Sequence, residues 1–135
     1  MCHLLLDIDF IIENISNSLN SSDVVYIKNE YDNIYICINH ISILRVILNL
    51  GDLKFNSLVD MFAVRYEHES EIYYQLKNSD INRSIFLVSK IINGTSIQSV
   101  TLLYDNACWY EREIFEKQNI TFKNNSNLSN IFVNV

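Results

Sequence analysis

Glycine is almost missing from this 135-residue sequence, and proline is missing altogether. Two glycines, Gly51 and Gly94, cannot build a phosphate-cradling loop, a dinucleotide fingerprint or the Gly-x-Ser-x-Gly turn of a serine hydrolase. A bound dinucleotide is therefore not expected. Cysteine is sparse as well: Cys2, Cys37 and Cys108 are odd in number, far apart and without a CxxC spacing, which excludes a disulfide framework and a cysteine-based zinc site. They read as reduced, mostly buried thiols. His3, His40 and His68 share no ligand spacing with one another or with a cysteine, so no metal site is expected.

Positive charge is short too. Ten Lys and Arg stand against sixteen Asp and Glu for a net charge of −6, and no basic cluster offers a local exception, so a phosphate backbone is a poor partner. Long apolar runs are absent. The longest uninterrupted one, Ile34 to Ile38, and the Ile41 to Leu50 stretch broken by Ser42, Arg45 and Asn49, fall far below the ~18 to 20 residues of a membrane-spanning helix. The chain reads as soluble or peripherally attached. Met1 to Glu13 carries Asp7, Asp9 and Glu13 but no Lys or Arg, so no targeting leader is expected.

What is present suits one globular domain. The apolar share is 49% and the charged share 19%, and a domain of this size buries roughly two-thirds of its unfolded surface. Ile and Asn are abundant while Gly, Ala and Arg are scarce, a bias that fits AT-rich codons and hence a compact organellar genome. The Asn-x-Ser/Thr triplets at Asn14, Asn20, Asn82, Asn93, Asn119 and Asn127 follow from the same bias and read as chance matches.

The apolar spacing gives an element order. Phe10-Ile11, Ile15 and Leu19 predict a helix that ends in the polar Asn17 to Ser22 cluster. Val24 to Ile27 and Ile34 to Ile38 predict a hairpin turning at Asn29 to Asn33. Ile43, Leu44, Ile47, Leu48 and Leu50 predict a second helix stopping at Gly51. Phe55 to Val64, Ile72 to Leu76 and Ile85 to Ile91 predict three strands, with Glu67 to Glu71 and Asn78 to Arg83 as connections. Asp105 and Asn106 are N-cap types before a final helix over Ala107 to Gln118. Helix, two strands, helix, three strands, helix is the pattern of a two-layer α+β domain with helices packed on a mixed sheet. The domain is expected over 1–122, with an irregular Asn/Ser-rich tail over 123–135.

The last helix carries the most information. At 100° per residue Ala107, Cys108, Ile114 and Phe115 share a face with Tyr110 at its edge, and Glu111 falls in the middle of it. A buried, unpaired carboxylate would cost several kcal/mol, so a cation or several N–H donors should meet it. Arg65, Arg83 and Lys90 are the candidates within the chain, and a partner subunit is another source. Trp109 and Glu116 lie on the opposite face beside Arg112 and Glu113, where an aromatic and an arginine suit a protein interface. Asp60, Glu67, Glu69, Glu71, Glu111 and Glu113 could supply an acid–base pair, but no feature selects one, and no catalytic residue is expected.

Ala107-Cys108-Trp109-Tyr110-Glu111-Arg112-Glu113-Ile114-Phe115-Glu116 resembles the signature of the C-type subunit of NADH:quinone oxidoreductase, called subunit 9 in mitochondrial genomes and the thirty-kilodalton subunit in animals. That pattern, Ala-x-Trp-x-Glu-Arg-Glu, two residues, then an acid, is matched without a gap. Upstream, Lys54 to Asp60 is similar to the family's Phe-x-x-Leu-x-Asp strand, Tyr73 to Leu76, Asn82-Arg83 and Lys90 to its Tyr-x-Leu, Asn-x-Arg and Lys positions, and Ser96 to Val100 to its Pro-Ser segment. The family's Met-Phe-Gly, His-Pro and paired arginines are replaced by Lys117-Gln118-Asn119, Asn125-Ser126 and Ser129-Asn130, and the chain stops at Val135, so the family's long C-terminal extension is expected to be shortened.

The resemblance implies a non-catalytic structural subunit of the peripheral arm of complex I. It would sit on the matrix side of the mitochondrial inner membrane, beside the large 49-kilodalton-type subunit and the iron–sulfur subunits of the quinone module. FMN and the iron–sulfur clusters would belong to those other subunits, none to this chain. Trp109, Glu111, Arg112, Glu113, Glu116 and Arg83 are the implied structural or interface residues. The rival readings are an equivalent subunit of a hydrogenase or plastid dehydrogenase, and a free-standing interaction domain.

Overall fold

Residues 8–125 are described by the structure, a computed structural model. The elements are α1 (Ile8–Ser18), β1 (Val24–Glu30), β2 (Asn33–Ile38), a 3-10 turn (His40–Ser42), α2 (Ile43–Asp52), β3 (Ser57–Arg65), β4 (Glu69–Asn78), β5 (Arg83–Ile92), β6 (Ile97–Gln98), α3 (Ala107–Gln118) and β7 (Phe122–Lys123). The main sheet runs β1-β2-β5-β4-β3. Only the β2–β5 pair is parallel within it, so the sheet is mixed and the fold is α+β, as the spacing predicts.

Strict alternation makes one sheet face the core. Ser70, Ile72, Tyr74, Leu76 and Asn78 of β4 are all buried at period two, and Ile34, Ile36 and Ile38 of β2 and Ile85, Leu87 and Ile91 of β5 join them. The helices close over this face with stripes at helical spacing: Ile11 and Ile15 of α1 followed by Leu19, and Ile43, Val46, Ile47 and Leu50 of α2. Phe10, placed in the first stripe by spacing, is 39% exposed.

Several boundaries differ from the sequence reading. The hairpin turn is only Tyr31-Asp32, both at positive φ (53° and 64°), because a two-residue type I′ connection matches the twist of the strands; Asn29 and Glu30 belong to β1. β4 starts at Glu69, inside the expected Glu67 to Glu71 connection, since the alternating pattern tolerates its polar outward residues.

Gly51 does not end α2. The helix continues to Asp52, and Lys54 takes the left-handed position at φ 75°. Phe55 N–H donates to Leu50 C=O at 3.0 Å and Lys54 N–H to Gly51 C=O at 2.9 Å, the two bonds of a Schellman motif. The buried Phe55 and Leu50 side chains supply the apolar contact that commonly accompanies it.

At the other end, β7 pairs with β6 in parallel and Asn125 is buried, so packed chain runs past Phe122, where the domain limit is expected. Positions 126–135 of the expected tail, and Cys2 and His3, lie outside the described residues. Cys37 is buried and Cys108 half-buried, and neither forms a disulfide. No helix among the described residues is long and apolar enough to cross a membrane.

Candidate functional site

The site is built on α3. Asn106 occupies the N-cap position without capping through its side chain, because its amide instead donates to the Leu58 carbonyl of β3 at 2.8 Å. At the far end Asn119 turns left-handed (φ 57°) and its N–H donates to Phe115 C=O at 2.9 Å; Asn is one of the few residues that tolerates this conformation. Tyr110 Oη donates to Val59 C=O at 3.1 Å and Gln118 Nε2 to Ala63 C=O at 2.7 Å, so α3 is stitched along β3 by its own side chains.

The helix divides into an inner and an outer face. Ala107, Glu111 and Ile114 are buried, and Glu111 has no exposed surface at all. Its carboxylate accepts from Ser99 Oγ at 2.7 Å and Asn125 Nδ2 at 2.7 Å on Oε1, and from Val100 N–H at 2.8 Å on Oε2. Ser99 and Val100 follow β6 and Asn125 follows β7, so this one side chain joins the helix to both segments of the small parallel pair. Burial raises its pKa above the usual carboxylate range, and the three donors oppose but do not cancel that rise. Tyr74 of β4 lies near enough to feel this charge. Its fully buried hydroxyl lacks a hydrogen-bond partner among the described residues, and burial together with Glu111 makes its proton harder to remove.

None of the three expected cations reaches Glu111. Arg65 donates to Gln118 C=O, Lys90 pairs with Glu71 at 3.7 Å, and Arg83 donates to Asp32 C=O at 2.7 Å, tying down the hairpin turn. The requirement is met by neutral donors instead, one hydroxyl, one backbone amide and one side-chain amide. Arg83 therefore stands apart from the other predicted residues.

The outer face follows the wheel. Trp109 is 75% exposed and, with Arg112, Glu113 and Glu116, lines a shallow depression of about 430 Å³. Arg112–Glu116 (3.2 Å) and Glu113–Lys117 (2.9 Å) are i,i+4 pairs, each worth a few tenths of a kcal/mol to the helix. Trp109, Arg112, Glu113 and Glu116 thus form a mixed-charge surface around one exposed indole.

Sequence reasoning missed a second buried carboxylate. Asp23, just before β1, accepts from Ser42 Oγ at 2.7 Å and takes a bidentate Arg45 guanidinium at 2.9 Å through each nitrogen. Its partners lie about twenty residues away, and nothing local marks them. Asn125 was also missed, hidden in a run of Asn and Ser that reads as a tail.

Known proteins resemble this chain in sequence and in fold. The model of the family described as "Respiratory-chain NADH dehydrogenase, 30 Kd subunit" matches residues 36–134. The chain is 32% identical to the C-type NADH-quinone oxidoreductase subunit of Parvibaculum lavamentivorans over 67% of this chain and 48% of that protein. It is 30% identical to NADH-ubiquinone oxidoreductase subunit 9 of Reclinomonas americana over 69% and 47%, and 29% identical to the C-type subunit of Rickettsia typhi over 62% and 44%. The chain thus spans about half the length of the curated relatives it matches. In fold it is similar to a trypsin-resistant fragment of Nqo5 (TM-score 0.71, 14% identity, covering 87% of this chain and 96% of that one). A chain of the membrane-bound sulfane sulfur reductase, an archaeal respiratory membrane complex, is similar too (TM-score 0.76, 18% identity, 87% and 71%).

Proposed function

This chain belongs to the family of the respiratory-chain NADH dehydrogenase 30-kDa subunit, and on that premise we propose that it is a non-catalytic structural subunit of the peripheral arm of NADH:ubiquinone oxidoreductase. It supports assembly of the quinone module, while electrons pass from NADH to ubiquinone through FMN and iron–sulfur clusters held by other subunits. Its neighbours are peripheral-arm subunits, the 49-kilodalton type first among them, and its place is the matrix side of the mitochondrial inner membrane. The relative from Reclinomonas americana, which is named for that activity, supports this assignment.

The observation that carries the reading is the split of α3. Glu111 fixes the inner face to β6 and β7, and that fixity presents Trp109, Arg112, Glu113 and Glu116 outward as one surface. An exposed Trp beside an Arg is the composition of an interface core, where a few such residues carry most of the binding energy.

The test is native mass spectrometry of the respiratory complex from cells carrying Trp109→Ala or Arg112→Ala. Each variant should enter the complex several-fold less than wild type, with electron transfer falling in proportion to assembly. Full assembly with electron transfer lost would assign these residues to chemistry instead. Recovery of the wild-type chain outside any assembly with iron–sulfur subunits would overturn the reading.

A further inference from the structure

The main sheet has two edges, and the chain treats them differently. At the β3 edge, Asn106, Tyr110 and Gln118 donate to the carbonyls of Leu58, Val59 and Ala63, so α3 blocks further strand pairing. At the β1 edge, among the described residues, no strand pairs with the outer side and no side chain hydrogen-bonds to its backbone. That edge is seven residues of mostly β-branched and aromatic sequence, Val24–Glu30, with a bulge at Val25, which is 65% exposed.

A groove runs beside the open edge. Ser16, Leu19, Ser21, Val24 and Ile27, from α1 and β1, line a depression of about 330 Å³ that contains no charged side chain. Across the bulge, Val24 and Ile27 point to this helix side, opposite the buried Ile38 and Ile36, while Tyr26 and Lys28 point to the open face of the sheet. A strand added to β1 would send alternate side chains into the groove and the others over Tyr26 and Lys28.

We propose that β1 receives an extended segment of a neighbouring subunit as a sixth strand, with uncharged apolar residues at alternate positions filling the groove. This rests on the assembly reading above. One short strand buries only a few hundred Å², well below the roughly 1,200 Å² of a stable stand-alone interface. A second copy of this chain would not be held by that contact, whereas a segment of a subunit already docked elsewhere on this chain would be.

Hydrogen–deuterium exchange, read by mass spectrometry on the full chain and on the native respiratory complex isolated through it, tests the proposal. Amides of residues 24–30 should exchange at least about tenfold more slowly in the complex, in the alternating pattern of a paired edge. The Ser16→Glu/Ser21→Glu double variant places charge on exposed rim positions without touching the core, and should return residues 24–30 to the free-chain rate while α3 stays protected. Equal β1 exchange in both states with α3 protected would overturn this inference alone. So would protection that survives the rim charges, that is already present in the dilute free chain, or that appears in the free chain only as concentration rises. Loss of protection at both α3 and β1 would bring down the assembly reading with it.

Discussion

Asp23 and Glu111 are both carboxylates withdrawn from water, 1% and 0% exposed, and their proton affinities move in opposite directions. The Ser42 hydroxyl first, and the Arg45 guanidinium second, hold Asp23 below the usual carboxylate range against the opposing effect of burial. Glu111 accepts just as many hydrogen bonds from neutral donors, yet burial dominates and raises it. Depth and partner charge both differ between the two. Asp23 sits under a guanidinium that is itself 62% exposed, so solvent is one side chain away, whereas Glu111 lies between α3 and the sheet with no cation near it among the described residues. Burial alone does not decide a carboxylate's state; the balance of depth and partner charge does.

The largest expected effect separates the two sites by what each leaves behind. Glu111→Ala strands Ser99, Val100 and Asn125 donors in the core and opens a cavity, so urea unfolding should show a loss of about 3 kcal/mol or more. Asp23→Ala leaves Arg45 free to hydrate and should cost about 1 to 2 kcal/mol. Asp23→Ala proving the more damaging would mean that the ion pair, and not the deep carboxylate, holds the fold.

A second expectation uses the opposite signs. Glu111, raised in the folded state, contributes stability that is present below the ordinary carboxylate range and lost as pH rises through its raised value. Asp23, lowered, contributes stability that is present above the ordinary range and lost as pH falls through its lowered value. Mild acidification from neutral should therefore first raise the thermal midpoint and then lower it. Glu111→Gln should flatten the first branch and Asp23→Asn the second. A single monotonic profile in the wild type, unchanged by either variant, would show that neither group titrates as its surroundings dictate.

The two sites also differ in how legible they were. Glu111 announced itself because the periodicity of Ala107, Ile114 and Phe115 defines a face, and one acid on that face must be buried. The kind of partner was not legible, since Ser99 and Asn125 are ordinary polar residues that only the β6–β7 pairing brings under α3. Asp23 carried no signal, because it stands outside any periodic element and meets Arg45 through the tertiary turn at His40–Ser42. The strands and helices were readable for the same reason Glu111 was, a repeating apolar period. The turn was readable, but its two-residue limits and the end of the second helix were not, because Tyr31 and Lys54 adopt left-handed conformations that their type does not advertise.

The smallest effect is the most direct test of the comparison, because it converts one site toward the other. Arg45→Met removes the cation from Asp23 and leaves Ser42 Oγ in place, giving a covered carboxylate with neutral donors only, as at Glu111. The ion pair is screened by the exposure of Arg45, so the stability loss at neutral pH should be only about 0.5 to 1 kcal/mol. The informative readout is the acid branch of the stability profile. It should shift to higher pH, because the Asp23 carboxyl gives up its proton less readily without the guanidinium. The shift should be partial, since the Ser42 hydrogen bond, the larger influence, remains. An unmoved acid branch would show that the hydroxyl alone sets Asp23, and that the contrast with Glu111 is one of depth and not of charge.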